Sequence, residues 1–173
     1  MIDPIDGTVN FSYGISPWCS SVAVQVENQV LAGAVYIPPY EEMYTATLES
    51  PALCNEKPIQ TSSISLLADL LILTGLSKNA HDESEPFKGH EALTRKTQKI
   101  RIIGAAAVDI CQVACGRAEA YVDSGIYLWD AAAAGLIAER AGAYTKTEPL
   151  GDYRVNYMCS NTLIQKELIA TLS

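Results

Sequence analysis

Asp3-Pro4-Ile5-Asp6-Gly7-Thr8-Val9-Asn10-Phe11 gathers two carboxylates, a rigid turn residue and a glycine into one short segment. Pro4 fixes its own φ and turns Asp3 away from helix, so the segment reads as the end of a strand followed by a sharp turn. Gly7 lets the backbone approach an anion closely. Asp3 and Asp6 on such a turn can point into one space, where a hard divalent cation between them relieves their repulsion. The backbone N–H groups of Gly7 and Thr8 are then placed to face a phosphate on the same metal, like other backbone anion nests. Asp, Pro and Gly also favour ordinary surface turns. Taken alone, the segment leaves both readings open.

A second stretch bears on the first. Trp129-Asp130-Ala131-Ala132-Ala133-Ala134-Gly135-Leu136-Ile137-Ala138-Glu139-Arg140-Ala141-Gly142 is Ala-rich and ends in Gly, which predicts a helix with Asp130 at or near its first turn. A carboxylate there is stabilised by the helix dipole and satisfies free N–H groups, so capping alone also accounts for it. Together the two segments resemble the paired signatures of the inositol monophosphatase family, Mg²⁺-dependent, lithium-sensitive phosphatases of sugars and polyols. The intervening chain is similar too. Residues 52–59 resemble the family's strand segment around an Asn, here Asn55, and Gly104-Ala105-Ala106 with Val113-Ala114-Cys115-Gly116-Arg117 resembles its substrate-side helix.

The resemblance implies an α/β fold of alternating helix and sheet layers, of the inositol monophosphatase/fructose-1,6-bisphosphatase type, in a single domain over 1–173. It implies Mg²⁺ held by Asp3, the backbone carbonyl of Ile5, Asp6 and Asp130, with Asp3 bridging metals. Thr8 is implied as the residue positioning an attacking water, with Trp129 packing to hold Asp130. Gly7, Thr8, Gly104, Ala105, Ala106 and Asp123 are implied on the substrate side. Where the family commonly has Ser or Thr after the glycine, this chain has Ala105, and Asp123 stands where a longer Glu is frequent. The family's Glu-Glu pair and upstream Asp have no counterpart, since only Met1 and Ile2 precede Asp3. The chain therefore reads as the C-terminal part of a member, N-terminally truncated, with a shortened first strand and Asp3 near a fraying end. The expected activity is hydrolysis of inositol monophosphate or a related sugar or polyol phosphate, by a homodimer in the full-length parent. The alternative is a catalytically impaired fragment with an assembly role.

Composition narrows the rest. An apolar share of 49% with 18% charged residues in 173 residues fits a folded globular domain. The net charge of −8 and the lack of a basic stripe argue against a nucleic-acid partner. The most apolar run, residues 66–76, is too short for a membrane span and is interrupted by Asp69. Five scattered cysteines suggest no disulfide framework and place the chain in a reducing cytoplasm. Cys111 and Cys115 read as small apolar packing, His81 and His90 as surface residues.

Along the chain, strands are predicted at 20–26, 30–37, 42–47, 70–73, 99–103, 118–122 and 156–159, with 70–73 buried on both faces. Helices are predicted at 62–68, 87–94, 106–115, 129–141 and 162–171, and an exposed loop at 77–86. Strands alternating with helices argue for layers, the early hairpin for an antiparallel portion.

Overall fold

A computed structural model of the chain describes residues 1–76 and 85–172. Two sheets face each other across a pair of helices. The first is antiparallel and runs in chain order: β1 (Ile2–Asp6), β2 (Cys19–Val26), β3 (Gln29–Ile37), β4 (Glu42–Thr47), β5 (Leu53–Cys54) and β6 (Lys57–Pro58). The second has the order β10 (Ala143–Gly151), β11 (Arg154–Asn161), β9 (Ala120–Tyr127), β7 (Leu71–Thr74), β8 (Lys99–Ile102), with β7 parallel to both its neighbours. Between the sheets lie α3 (Ala106–Ala114) and α4 (Leu128–Arg140). On the far side of the second sheet, α2 (Glu85–Lys96) and α5 (Gln165–Leu172) close a smaller core of Leu70, Ile72, Leu93, Ala120, Met158, Ile164 and Leu168. Ile72 faces that core and Leu73 the central one, so the apolar strand is covered on both sides, as its unbroken hydrophobic run predicts.

The composition of α4 follows from its place. Every residue from Ala131 to Ala138 is buried. A helix enclosed all round is apolar all round, and one squeezed between two sheets also needs short side chains. Its backbone lies so close to β3 that an ideal Cβ on Gly33 would sit 2.7 Å from the Ala133 carbonyl oxygen and 2.9 Å from its Cα. Both opposing atoms are backbone, so the contact is relieved only by moving an element. Gly33→Ala is expected to destabilise the fold by about 1–3 kcal/mol, read as a lower urea midpoint. An unchanged midpoint would show that α4 slides freely on the sheet.

Several elements depart from the sequence reading. The predicted helix at 62–68 is extended chain ending in one 3₁₀ turn, Leu67–Asp69: Ile64 and Leu66 stay exposed, Leu67 alone packs against the smaller core, and the segment is rich in Ser, a weak helix former. The first strand is less curtailed than expected: Asp3 pairs with Ser21, and the Met1 amine donates to the Ala23 carbonyl at 2.7 Å. Residues 52–59 form a tight hairpin, β5–β6, turning on Asn55 and Glu56 at φ 47° and 66°. Asn55 suits that left-handed position and locks it, accepting from the Met43 amide at 2.8 Å and donating to the Glu41 carbonyl at 3.0 Å. β10 and the short helix α1 (Thr8–Ser12) have no counterpart in the prediction. His81 and most of the predicted 77–86 loop lie outside the described residues.

On the outer face of the first sheet, Val22, Val24, Val26 and Tyr36 remain exposed, while the alternate residues Cys19, Ala23, Val35 and Ile37 are buried against the helices. Among the described residues no helix is long and apolar enough to cross a membrane.

Candidate metal centre

Asp6 is the last residue of β1, and Gly7 follows at φ 81°. The left-handed turn is available to glycine without steric cost. Space is tight as well, since a Cβ at Gly7 would meet the Ala105 methyl at 3.0 Å and the Pro17 carbonyl oxygen at 3.3 Å. The turn is anchored by Asn10, whose side-chain amide donates to the carbonyls of Pro17 at 2.8 Å and Ile103 at 2.9 Å. Asn10 thus ties the first motif to the loop that enters α3.

That loop delivers the amide that orients Asp6. Ala105 caps α3 without any side-chain hydrogen bond, and the vacant role is filled from outside: Asp6 Oδ2 accepts from the Ala107 N–H at 2.7 Å. At the start of α4, Asp130 Oδ2 accepts from the Tyr127 amide at 3.0 Å, and Trp129 stacks on the Tyr127 ring with centroids 4.6 Å apart. The anticipated capping and packing roles are both present. They aim the Asp130 carboxylate at β1.

The outcome is a convergence of three acids. Asp3, Asp6 and Asp130 each present a carboxylate oxygen, all within 4.8 Å of one another. Burial, together with the charge of Asp3, raises the Asp6 carboxyl to about 6, although the Ala107 and Gly7 amides pull the other way. Asp130 rises to about 7, chiefly through burial and then through the Asp6 charge. Three converging carboxylates, with Asp6 and Asp130 held above the ordinary range, form an oxygen-only donor set, the kind that suits a hard divalent cation. Thr8, exposed at the start of α1, donates its hydroxyl to the Ile5 carbonyl at 2.8 Å, which places Thr8 and Ile5 on the rim of the same cluster. The Ile5 amide in turn donates to Asp3 Oδ1 at 3.1 Å.

The other predicted residues divide. Gly104, at φ 88°, and Ala106 flank Ala105 at the mouth of α3. Ala105 itself is 2% exposed, its methyl packed beneath Gly7, so its side chain serves the turn. Asp123 lies in mid-β9, where its Oδ2 accepts from the Tyr121 hydroxyl at 2.9 Å and its Oδ1 from the Ser124 amide at 2.7 Å. Two participants escaped the sequence reading. Asp109 is 1% exposed on α3 with Oδ1 unpartnered, and burial followed by the Asp6 and Asp123 charges raises its carboxyl to about 8. It therefore stands electrostatically between the acid cluster and Asp123. The Cys19 thiol, fully buried, donates to Asp6 Oδ2 at 3.7 Å, and burial beside that acid pushes the thiol far up. An acid in the first turn of a largely apolar helix was the available signal for Asp109. None marked Cys19.

Comparison with known proteins converges on one family. The profile of the inositol monophosphatase family matches residues 1–172. An inositol-1-monophosphatase from Synechocystis is 33% identical over 179 residues, covering 99% of this chain and 61% of that protein. The Nus factor SuhB of Xylella fastidiosa is 34% identical over 145 residues, covering 83% of this chain and 53% of that protein. Among solved structures, an inositol monophosphatase from Anabaena superposes with a TM-score of 0.92 at 30% identity, covering 99% of this chain and 69% of that one. Mycobacterium tuberculosis SuhB gives 0.91 at 31% identity, covering 99% and 70%. The chain spans about half to two thirds of the length of the curated relatives it matches. With its layered sheets and its acid cluster on the first strand and the Ala-rich helix, the chain belongs to the inositol monophosphatase family.

Proposed function

We propose that this chain carries the catalytic face of a Mg²⁺-dependent phosphomonoesterase acting on inositol monophosphate or a related sugar or polyol phosphate. The observation that carries the reading is the meeting of Asp3, Asp6 and Asp130 within 4.8 Å in a family member. Asp3, Asp6, Asp130 and the Ile5 carbonyl would hold the metal. When bound there, a divalent cation supplies Lewis-acid activation of water and charge compensation for the departing alkoxide.

The chain's own residues do the positioning. Asp6 keeps Oδ2 on the Ala107 amide, which holds its carboxylate beside those of Asp3 and Asp130, where it would help hold the cation. Thr8 donates its hydroxyl hydrogen bond to the Ile5 carbonyl, so its hydroxyl oxygen is left to accept a hydrogen bond from a water and orient it. Gly7 and Thr8 present backbone amides to the phosphate. Gly104 and Ala106 border the substrate, and Asp123 accepts hydrogen bonds from its hydroxyls. The free cysteines support a reducing cytoplasm as the setting, and a homodimer is the assembly we assign to the full-length protein.

Release of inorganic phosphate from myo-inositol 1-phosphate is expected in Mg²⁺, lost in EDTA and regained when Mg²⁺ is returned. EDTA-insensitive release would contradict the assignment. The exposed outer face of the first sheet favours a second reading, in which packing against further protein is this chain's contribution. Sedimentation separates the two, since association without metal-dependent hydrolysis supports only the second.

A further inference from the structure

Beyond the acid cluster, a second polar constellation forms at the C-terminal end of β7. Thr74, the last residue of that strand, is 1% exposed. Its hydroxyl donates to the Val122 carbonyl of the parallel neighbour β9 at 2.6 Å, and its oxygen lies 2.8 Å from Nε2 of His90 on α2. With the threonine proton committed to the carbonyl, the imidazole must be the donor, which fixes a proton on Nε2. His90 is therefore half-buried and bonded, which corrects its reading as a surface residue. A polar neighbourhood in sequence hides that contact, because the partner comes from the end of a distant strand.

Val122 is followed directly by Asp123, whose half-buried carboxylate is held by its neighbours. Tyr121 and Ser124 each donate to it, and Gly75, next after Thr74, leaves it room: a Cβ at Gly75 would fall 1.9 Å from Asp123 Oδ2. Burial raises the Asp123 carboxyl, and the His90 imidazole opposes that rise, along with the Tyr121 hydroxyl and the Ser124 amide. Asp109 feels the Asp123 charge. Asp123 thus abuts Gly75, the residue next to the Thr74 hydroxyl on which the His90 imidazole is anchored.

We propose that His90 is a specificity-determining positioning residue: anchored through Thr74, it fixes the placement of Asp123, and with it the discrimination between cyclic and acyclic polyol phosphates. The proposal rests on the reading of Asp123 as a contact for substrate hydroxyls. A carboxylate locked in one orientation rewards hydroxyls held at a fixed separation on a ring and gives little to a flexible chain, whose ordering offsets the gain.

The KM and kcat for myo-inositol 1-phosphate and for glycerol 2-phosphate, in Mg²⁺, test it on the chain and on His90→Ala, His90→Gln, Thr74→Val, Thr74→Ser and Asp123→Asn. Long-range imidazole ¹⁵N spectra report the tautomer. The expected result is an Nε2–H imidazole in the unaltered chain that is lost in Thr74→Val and kept in Thr74→Ser. His90→Ala and Thr74→Val should raise the KM for the inositol ester about three- to tenfold and that for the glycerol ester less than about twofold. His90→Gln, with a nitrogen donor at the same reach, should recover most of the loss. If Asp123→Asn raises the KM for the inositol ester while His90→Ala does not, the His90 proposal is overturned and the reading of Asp123 stands. If Asp123→Asn leaves both esters unaffected, or the unaltered chain shows no preference for the ring, that reading falls and the proposal with it. An Nδ1–H tautomer also overturns the proposal.

Discussion

Asp6→Asn is expected to lower Mg²⁺-dependent phosphate release by more than about a hundredfold, since even the outer-shell partners of metal ligands are worth 10–100-fold. Asn keeps an oxygen for the Ala107 amide, so α3 stays capped and the fold stays intact. The charge is lost, and with it one of the two carboxylates that the first strand gives to the cluster. Circular dichroism and melting of the variant in EDTA, beside its rate in Mg²⁺, separate the two roles of this carboxylate. A large fall in stability with an unaltered rate would make Asp6 a helix cap and nothing more.

The pH dependence of stability carries the second large effect. Asp6, Asp130 and Asp109 titrate at about 6, 7 and 8 in the folded chain, all above the ordinary value of 3.8. Between these limits the folded state binds more protons than the unfolded state, so stability falls as pH rises. The contribution is whole below about pH 4, and it is lost progressively as pH passes through the folded values, the last of them near 8. A divalent cation takes over the charge compensation that protons provide at low pH. In EDTA the urea midpoint should therefore drop from pH 5 to pH 8, and in Mg²⁺ the drop should shrink. Asp109→Asn removes one of the three acids whose carboxyls are raised and should flatten the EDTA profile. A midpoint that climbs over the same range in EDTA would contradict the burial of these acids.

How much of this was legible in the sequence depends on how local each signal is. Asp3, Asp6 and Asp130 sit in motifs whose neighbours dictate a turn or a helix start, and the structure brings all three together. The apolar run of β7 and the Ala-rich α4 were readable because burial on every side leaves one kind of residue in place. β10 was not readable. It is a sheet-edge strand with Lys146, Glu148 and Pro149 facing solvent, and its hairpin turns on Asp152 and Tyr153 at φ 49° and 61°, where Tyr gives no turn signal. Asp109 and His90 were missed for a related reason. Their significance comes from groups on other elements, Asp6 and Asp123 for one and Thr74 for the other.

The central claim is that Asp3, Asp6 and Asp130 form one divalent-cation site. Melting of the chain with and without tens of millimolar Mg²⁺, beside Asp6→Asn and Asp130→Asn, tests it most directly. For a dissociation constant in the millimolar range, linkage predicts a stabilisation of about 1–2 kcal/mol in the unaltered chain, and little in either variant. Equal shifts in all three proteins would place the metal elsewhere on the acidic surface and contradict the account.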